Sequence, residues 1–128
     1  MRILVTGGLG AIGSSLVPEL RGRGHHVVSS DLAHQPDEVG FGLLADLPTP
    51  RYARCDITEF RQLDRVFERL GPFDLVYHCA AEFGRANGED FYETLWRTNV
   101  IGTKNVLRLQ EQRRFRLVHF SSSEARGG

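Results

Sequence analysis

The sequence has little cysteine, no net charge and no long apolar run, and each absence excludes a class of protein. Its two cysteines are too few for a disulfide framework. Sixteen basic residues balance sixteen acidic ones, so no overall field draws the chain to nucleic acid or to an anionic membrane. Before the first glycines the only apolar run is Ile3 to Val5, which is shorter than a signal-peptide core and far shorter than a membrane span of roughly 20 residues. We expect a cytoplasmic protein with no nucleic-acid or membrane partner.

A recognisable arrangement of metal ligands is also missing. The five histidines are scattered, and the adjacent pairs Cys55-Asp56 and His78-Cys79 lack the spacing of a metal site. Both cysteines fall within or at the ends of strand-like runs, where a thiol behaves as a small buried apolar side chain. We therefore expect no metal site.

Strand-like and helix-like patterns alternate along the chain, whose 128 residues are 41% hydrophobic and predict a single globular domain. Parallel strands need long right-handed crossovers, so this alternation requires a parallel sheet with helices on both faces. The predicted fold is α/β, a doubly wound parallel sheet in three layers. Strands are predicted over residues 2–6, 25–30, 51–55, 73–78 and 115–120, helices over 11–20, 59–70 and 89–114, and a loop with a short helical piece over 32–49.

A glycine-rich turn, Thr6-Gly7-Gly8-Leu9-Gly10-Ala11-Ile12-Gly13, joins the first strand to the first helix. Gly7 or Gly8 permits the tight bend, Gly10 lets the backbone approach a pyrophosphate, and Gly13 lets the helix pack close to the strand. The free N–H groups at the helix start, around Ala11 and Ile12, would face the phosphates. Because the turn follows a strand and lies in a βαβ unit, its context favours dinucleotide binding over a purely structural turn. A P-loop is excluded, since no Gly-Lys-Ser/Thr follows.

Two aspartates follow the next two strands. Asp31 closes the second strand 18 positions after Gly13, where a carboxylate accepts hydrogen bonds from an adenosine ribose and repels a 2′-phosphate. No arginine or lysine occurs at positions 32 to 35, so NAD is favoured over NADP. An ordinary helix or turn cap is the alternative role for Asp31. Asp56 either accepts from the adenine amino group or caps the next helix, and the two roles are compatible.

In this order and spacing, these features and three further segments resemble the extended short-chain dehydrogenase/reductase family. Within that family the resemblance is to the NAD-dependent nucleotide-sugar epimerases, dehydratases and decarboxylases, and it runs from residue 2 to residue 124. The segments that carry it are Thr6 to Gly13, Asp31, Asp56-Ile57, His78-Cys79-Ala80-Ala81, Asn99-Val100-x-Gly102-Thr103-x-Asn105 and Ser121-Ser122-Ser123-Glu124.

The resemblance implies a Rossmann-type doubly wound sheet with strand order 3-2-1-4-5, and a cofactor site at the carboxyl ends of its strands. Residues 78–81 correspond to a strand end whose backbone lies along the cofactor, and the small side chains of Ala80 and Ala81 fit that close approach. Asn99 corresponds to a helical asparagine that supports the active site, and a hydrogen bond within the helix is its alternative role. The residues predicted to bind NAD are Gly7, Gly10, Ala11, Ile12, Gly13, Asp31, Asp56, Ile57, Ala80, Ala81 and Asn99.

The resemblance also implies catalytic residues, namely Ser122, Ser123 and Glu124. Ser122 falls where the family has a hydroxyl that hydrogen-bonds the reacting C4 oxygen of the sugar. Ser123 falls where sugar dehydratases carry an aspartic acid that protonates the leaving hydroxyl, a step that serine cannot perform. The pattern is closer to that of the decarboxylases, with Glu124 near the sugar. A polar start to a loop is the alternative, although open α/β sheets bind ligands at this end of their strands.

The family's general base, a tyrosine followed four residues later by a lysine, has no counterpart here. No tyrosine of the sequence has a lysine four residues on, and Lys104 is the only lysine. We expect residues 1–128 to be the NAD-binding N-terminal part of an enzyme that acts on a nucleotide sugar by transient oxidation at C4. Without the base this part would be inactive, and its uncovered sheet edge and helix faces favour a homo-oligomer. A non-catalytic dinucleotide-sensing or interaction module is the alternative.

Overall fold

The computed structural model describes residues 1–33, 51–81 and 92–120. Most of the loop predicted over 32–49 lies outside these ranges. The described elements, in chain order, are β1 (Arg2–Thr6), α1 (Gly13–Gly22), β2 (His26–Asp31), β3 (Tyr52–Arg54), α2 (Phe60–Leu70), β4 (Leu75–His78), α3 (Tyr92–Trp96), a π-helical segment (Arg97–Gly102), α4 (Thr103–Arg113) and β5 (Arg116–His119).

The five strands form one parallel sheet in the order β3-β2-β1-β4-β5, which confirms the predicted order. Thr6, at the end of β1, is in register with Ser30 of β2 on one side and with His78 of β4 on the other. Asp31 is in register with Arg54 of β3. The carboxyl ends of four strands therefore meet at one edge of the sheet, where open α/β sheets bind their ligands.

Apolar side chains cover both faces of the sheet, as a buried parallel sheet requires. Because successive residues of a strand point to opposite faces, the apolar runs of β1, β2 and β4 supply both cores. Around α1 the buried residues are Ile3, Val5, Val17, Leu20, Val27 and Leu75. Around α2 and α4 they include Leu4, Val28, Leu63, Val66, Phe67, Val76, Val106 and Leu109. With one core on each face of the sheet, the fold has three layers, helix, sheet and helix, as predicted.

Two helical regions differ from the prediction. Helix α1 begins at Gly13 rather than at Ala11, and residues 11–12 form the turn that leads into it; the first helical hydrogen bond runs from the Ser14 N–H to the Gly10 carbonyl (2.9 Å). The described part of the predicted helix over 89–114 contains the wider π-helical segment. There Gly102 packs so closely on Ile57 that a Cβ would lie 2.4 Å from Ile57 Cδ1. The spacing of apolar residues at 3.6 per turn does not distinguish such a widened turn from an ordinary α-helix.

Within the described ranges, none of the helices combines the length and apolar character needed to cross a membrane.

Candidate functional site

A cleft opens at the carboxyl edge of the sheet, between the turn after β1 and the ends of β2, β3 and β4. It brings together nine of the residues predicted to bind the cofactor with five others. The lining residues are Gly7, Gly10, Ala11, Ile12, Ser30, Asp31, Leu32, Cys55, Asp56, Ile57, Cys79, Ala80, Ala81 and Thr98.

Backbone contacts hold the glycine turn at one side of this cleft. Gly7 has a φ of 67°, a conformation that side chains disfavour, and a Cβ on it would lie 2.6 Å from the Ala80 backbone nitrogen. A Cβ on Gly13 would lie 2.3 Å from the Gly7 carbonyl oxygen. Gly7 therefore brings the turn against the segment after β4, and Gly13 brings α1 against the turn.

Gly10 has a different environment, because its missing side chain leaves space in the cleft. A Cβ at Gly10 would approach only the Gly7 carbonyl oxygen, at an ordinary 3.4 Å, and Gly10 itself lines the cleft. The space lies beside the start of α1, where N–H groups without helical partners favour an anion. This cradle, which a Cβ would partly fill, fits the pyrophosphate of a dinucleotide.

Asp31 connects the end of β2 to the glycine turn. Its Oδ2 accepts the Leu9 N–H (2.9 Å) and its Oδ1 accepts the Leu32 N–H (2.8 Å). These are the hydrogen bonds of a turn cap, and the same residue lines the cleft. A carboxylate offers about four acceptor positions, so two remain for ribose hydroxyls. The two roles weighed for Asp31 are thus compatible.

Asp56 stabilises the turn that precedes α2. Its Oδ1 accepts from the Thr58 N–H (3.0 Å) and from the Thr58 hydroxyl (2.7 Å). The residue that caps α2 is Glu59, which makes no side-chain capping hydrogen bond. The expectation that Asp56 caps the helix is therefore wrong in detail: its carboxylate binds within the turn, and it also lines the cleft.

Ile57 is held from the other side by Asn105, a residue to which the sequence alone assigns no role. The buried Asn105 side chain of α4 donates through Nδ2 to the Ile57 carbonyl oxygen (2.8 Å). Together with the close packing of Gly102, this bond attaches the cleft wall at Asp56 and Ile57 to α4.

A buried histidine lies behind the cleft. His78 Nδ1 is 2.7 Å from Thr6 Oγ1, His78 Nε2 is 3.0 Å from Thr103 Oγ1, and the Ala80 N–H donates to Thr6 Oγ1 (3.3 Å). Burial, together with the charge that His119 would carry, lowers the pKa of His78 to about 4, so the ring is neutral at pH 7. One tautomer satisfies the network: the Thr6 hydroxyl donates to Nδ1, and Nε2–H donates to Thr103.

The environments of the two cysteines keep their side chains protonated, as thiols rather than reactive thiolates. Cys55 is buried, as predicted, whereas Cys79 is only half-buried, and both line the cleft. Burial raises the pKa of Cys55 to about 12 and the pKa of Cys79 to about 11. Neither forms an appreciable thiolate at neutral pH.

The remaining predicted site residues lie elsewhere. Of those that the structure describes, Gly13 lies behind the turn, and Asn99 lies in the π-helical segment, half-buried beside Thr98, which lines the cleft in its place. Ser122, Ser123 and Glu124 lie outside the described residues.

Residues 3–128 match the profile of the NAD-dependent epimerase/dehydratase family. The chain belongs to this family. A dTDP-glucose 4,6-dehydratase of Neisseria meningitidis serogroup B is 33% identical to it over 98% of this chain and 39% of that enzyme. A 2-alkyl-3-oxoalkanoate reductase of Stenotrophomonas maltophilia is 34% identical over 84% of this chain and 28% of that protein.

Among solved structures, the Bordetella bronchiseptica enzyme WbmG in complex with NAD is similar with a TM-score of 0.74 and 26% identity. The match covers 96% of this chain and 38% of that one. The chain thus spans about two fifths of the length of the dehydratase and of this structure, whose matching shares are 39% and 38%.

Proposed function

We propose that the cleft binds NAD. The carboxylate of Asp31, which is bonded to the glycine turn at Leu9 and lines the same cleft as Gly10, is the observation that carries the proposal. Its two remaining acceptor positions would receive the hydroxyls of the adenosine ribose, and its charge would repel the 2′-phosphate of NADP.

The other lining residues would hold the rest of the cofactor. The turn from Gly7 to Ile12 would carry the pyrophosphate, Asp56 and Ile57 would lie at the adenine, and Ala80 and Ala81 would allow close approach beside the ribose. The described geometry supports this assignment because these residues surround one continuous space. Asn99, which does not line that space, would support the active site indirectly.

The proposed reaction belongs to the nucleotide-sugar epimerase, dehydratase and decarboxylase type. When bound, NAD supplies a hydride acceptor for transient oxidation of the sugar at C4. Ser122 would hydrogen-bond the C4 oxygen, and Glu124 would contact the sugar. Ser123 disfavours the standard dehydratase outcome, because a hydroxyl is a far weaker proton donor than a carboxylic acid. The dehydratase relative supports a nucleotide-sugar substrate.

Residues 1–128 would then be the NAD-binding domain of this enzyme, and the general base would come from outside them. The expected inactivity of this domain alone follows from the absence of a tyrosine with a lysine four residues on.

Replacing Gly10 with alanine tests the proposed cofactor site. The new methyl group has room in the protein but would occupy the space assigned to the pyrophosphate. Calorimetric titration should show NAD binding weakened about tenfold or more in Gly10→Ala, with the melting temperature nearly unchanged. Gly22→Ala is the matched control, because nothing lies within 4 Å of the added methyl group. Parent-like NAD affinity in Gly10→Ala would refute the assignment.

A further inference from the structure

An exposed arginine lies on the strand that neighbours Asp31, directly before Cys55, which lines the cleft. Arg54 is the last residue of β3 and the register partner of Asp31 in β2. Partner residues of adjacent parallel strands point to the same face of a sheet, so both side chains lie on the α1 face. Positions 32 to 35, which follow Asp31 along the chain, carry no arginine or lysine, whereas Arg54 comes from the neighbouring strand.

The backbone of Leu32 connects the two charged groups. Its N–H donates to Asp31 Oδ1 (2.8 Å), and its carbonyl oxygen accepts from Arg54 Nε (2.8 Å). Tyr52 also holds this segment, because its hydroxyl donates to the Ala33 carbonyl oxygen. The guanidinium is therefore held beside the residue that follows Asp31 rather than extended freely into solvent.

Among the residues that the structure describes, the bond to Leu32 uses one of the five N–H donors of the guanidinium. The terminal Nη groups form the planar fork that suits phosphate oxygens. Asp31, by contrast, presents a negative charge where the adenosine ribose is proposed to lie.

This inference rests on the proposed NAD site. We propose that Arg54 is a latent ligand for the 2′-phosphate of NADP, which Asp31 keeps from binding. Asp31 then sets the preference for NAD in the parent protein, and Arg54 sets how strongly the 2′-phosphate binds once the carboxylate is removed.

The test compares NAD and NADP affinities, measured by calorimetric titration of the intact protein, in three variants. Asp31→Ser should shift the NADP-to-NAD affinity ratio toward NADP by about tenfold or more, and added salt should reduce that gain. Asp31→Ser with Arg54→Gln should lose the gain. Asp31→Ser with Arg51→Gln should keep it, because Arg51 precedes β3 and lies at the opposite end of that strand.

Two results overturn the proposal in distinguishable ways. If the parent protein prefers NAD but the NADP gain is the same with and without Arg54, the role of Arg54 is refuted and the NAD site stands. If the parent binds neither cofactor, the NAD site is refuted and Arg54 with it. Should Asp31→Ser fail to fold, Asp31→Asn replaces it throughout, since it removes the charge and keeps an acceptor for one backbone N–H.

Discussion

The ring of His78 joins the carboxyl ends of β4 and β1 through its Nδ1, which lies 2.7 Å from the hydroxyl oxygen of Thr6. The same hydroxyl oxygen accepts the Ala80 N–H, so the network reaches the segment that lines the cleft. Through Nε2 the ring also contacts Thr103, the first residue of α4. One neutral side chain therefore fixes two strands and a helix around the cleft.

This burial predicts a loss of stability in acid. The unfolded chain protonates His78 near its ordinary pKa of 6.5, whereas the folded protein does so only near 4. Between these values the unfolded state binds more protons, so the stability falls as the pH falls below 6.5 and the loss ends near pH 4. From pH 7 to pH 5, the free energy of unfolding should fall about 2 kcal/mol more in the parent than in His78→Asn.

Urea unfolding at several pH values measures this difference. His25→Asn is the control, since His25 precedes β2 at the opposite end of the sheet and should leave most of the parent's pH dependence in place. Parallel pH dependences for the parent and His78→Asn would show that the buried ring is not the cause.

Two glycine substitutions in α1 should change stability in opposite directions. Gly13→Ala places a methyl group 2.3 Å from the Gly7 carbonyl oxygen, a backbone contact that cannot relax easily, and should cost about 2 kcal/mol. Gly22→Ala meets no atom within 4 Å and should add up to about 1 kcal/mol through better helix propensity. Denaturant midpoints measure both changes. A neutral Gly13→Ala would mean that α1 does not pack on the turn as described.

The cysteines should react slowly at pH 8. With pKa values of about 12 for Cys55 and about 11 for Cys79, the thiolate fraction at pH 8 is about a thousandfold and about a hundredfold smaller, respectively, than for an exposed thiol, and alkylation by iodoacetamide should be slowed in that order. Cys55→Ser and Cys79→Ser leave one thiol each and assign the two rates, and Cys55 should be the slower. Because both cysteines line the cleft, NAD should slow them further. Labelling of Cys55 at the rate of an exposed thiol would contradict its burial.

The sequence was sufficient for the sheet and for the cleft-lining turn, because each depends on local patterns. Alternating apolar runs predicted all five strands within a few residues, and the glycines predicted a close-packed turn between β1 and α1. Asp31 was placed correctly at the end of β2 for the same reason. The roles of Ser122, Ser123 and Glu124 stay predictions, since these residues lie outside the described ranges.

The features that could not be predicted from the sequence depend on contacts between segments that are far apart in the chain. The bond between Thr6 and His78 requires the register of β1 with β4, although polar residues at the ends of two adjacent strands were a signal for it. The predicted strand order placed β3 beside β2, but the position of Arg54 beside Asp31 requires the register between these strands. Asn105, which the sequence shows only as part of a motif, has its role because it and the neighbouring Gly102 both contact Ile57, a residue far away in the sequence.

The central claim is that this cleft holds NAD through Asp31, and parallel calorimetric titrations with NAD and NADP test it most directly. The parent protein should bind NAD about tenfold or more tightly than NADP, and Asp31→Ala should erase that preference. Equal affinities for the two cofactors in the folded parent protein would contradict the account.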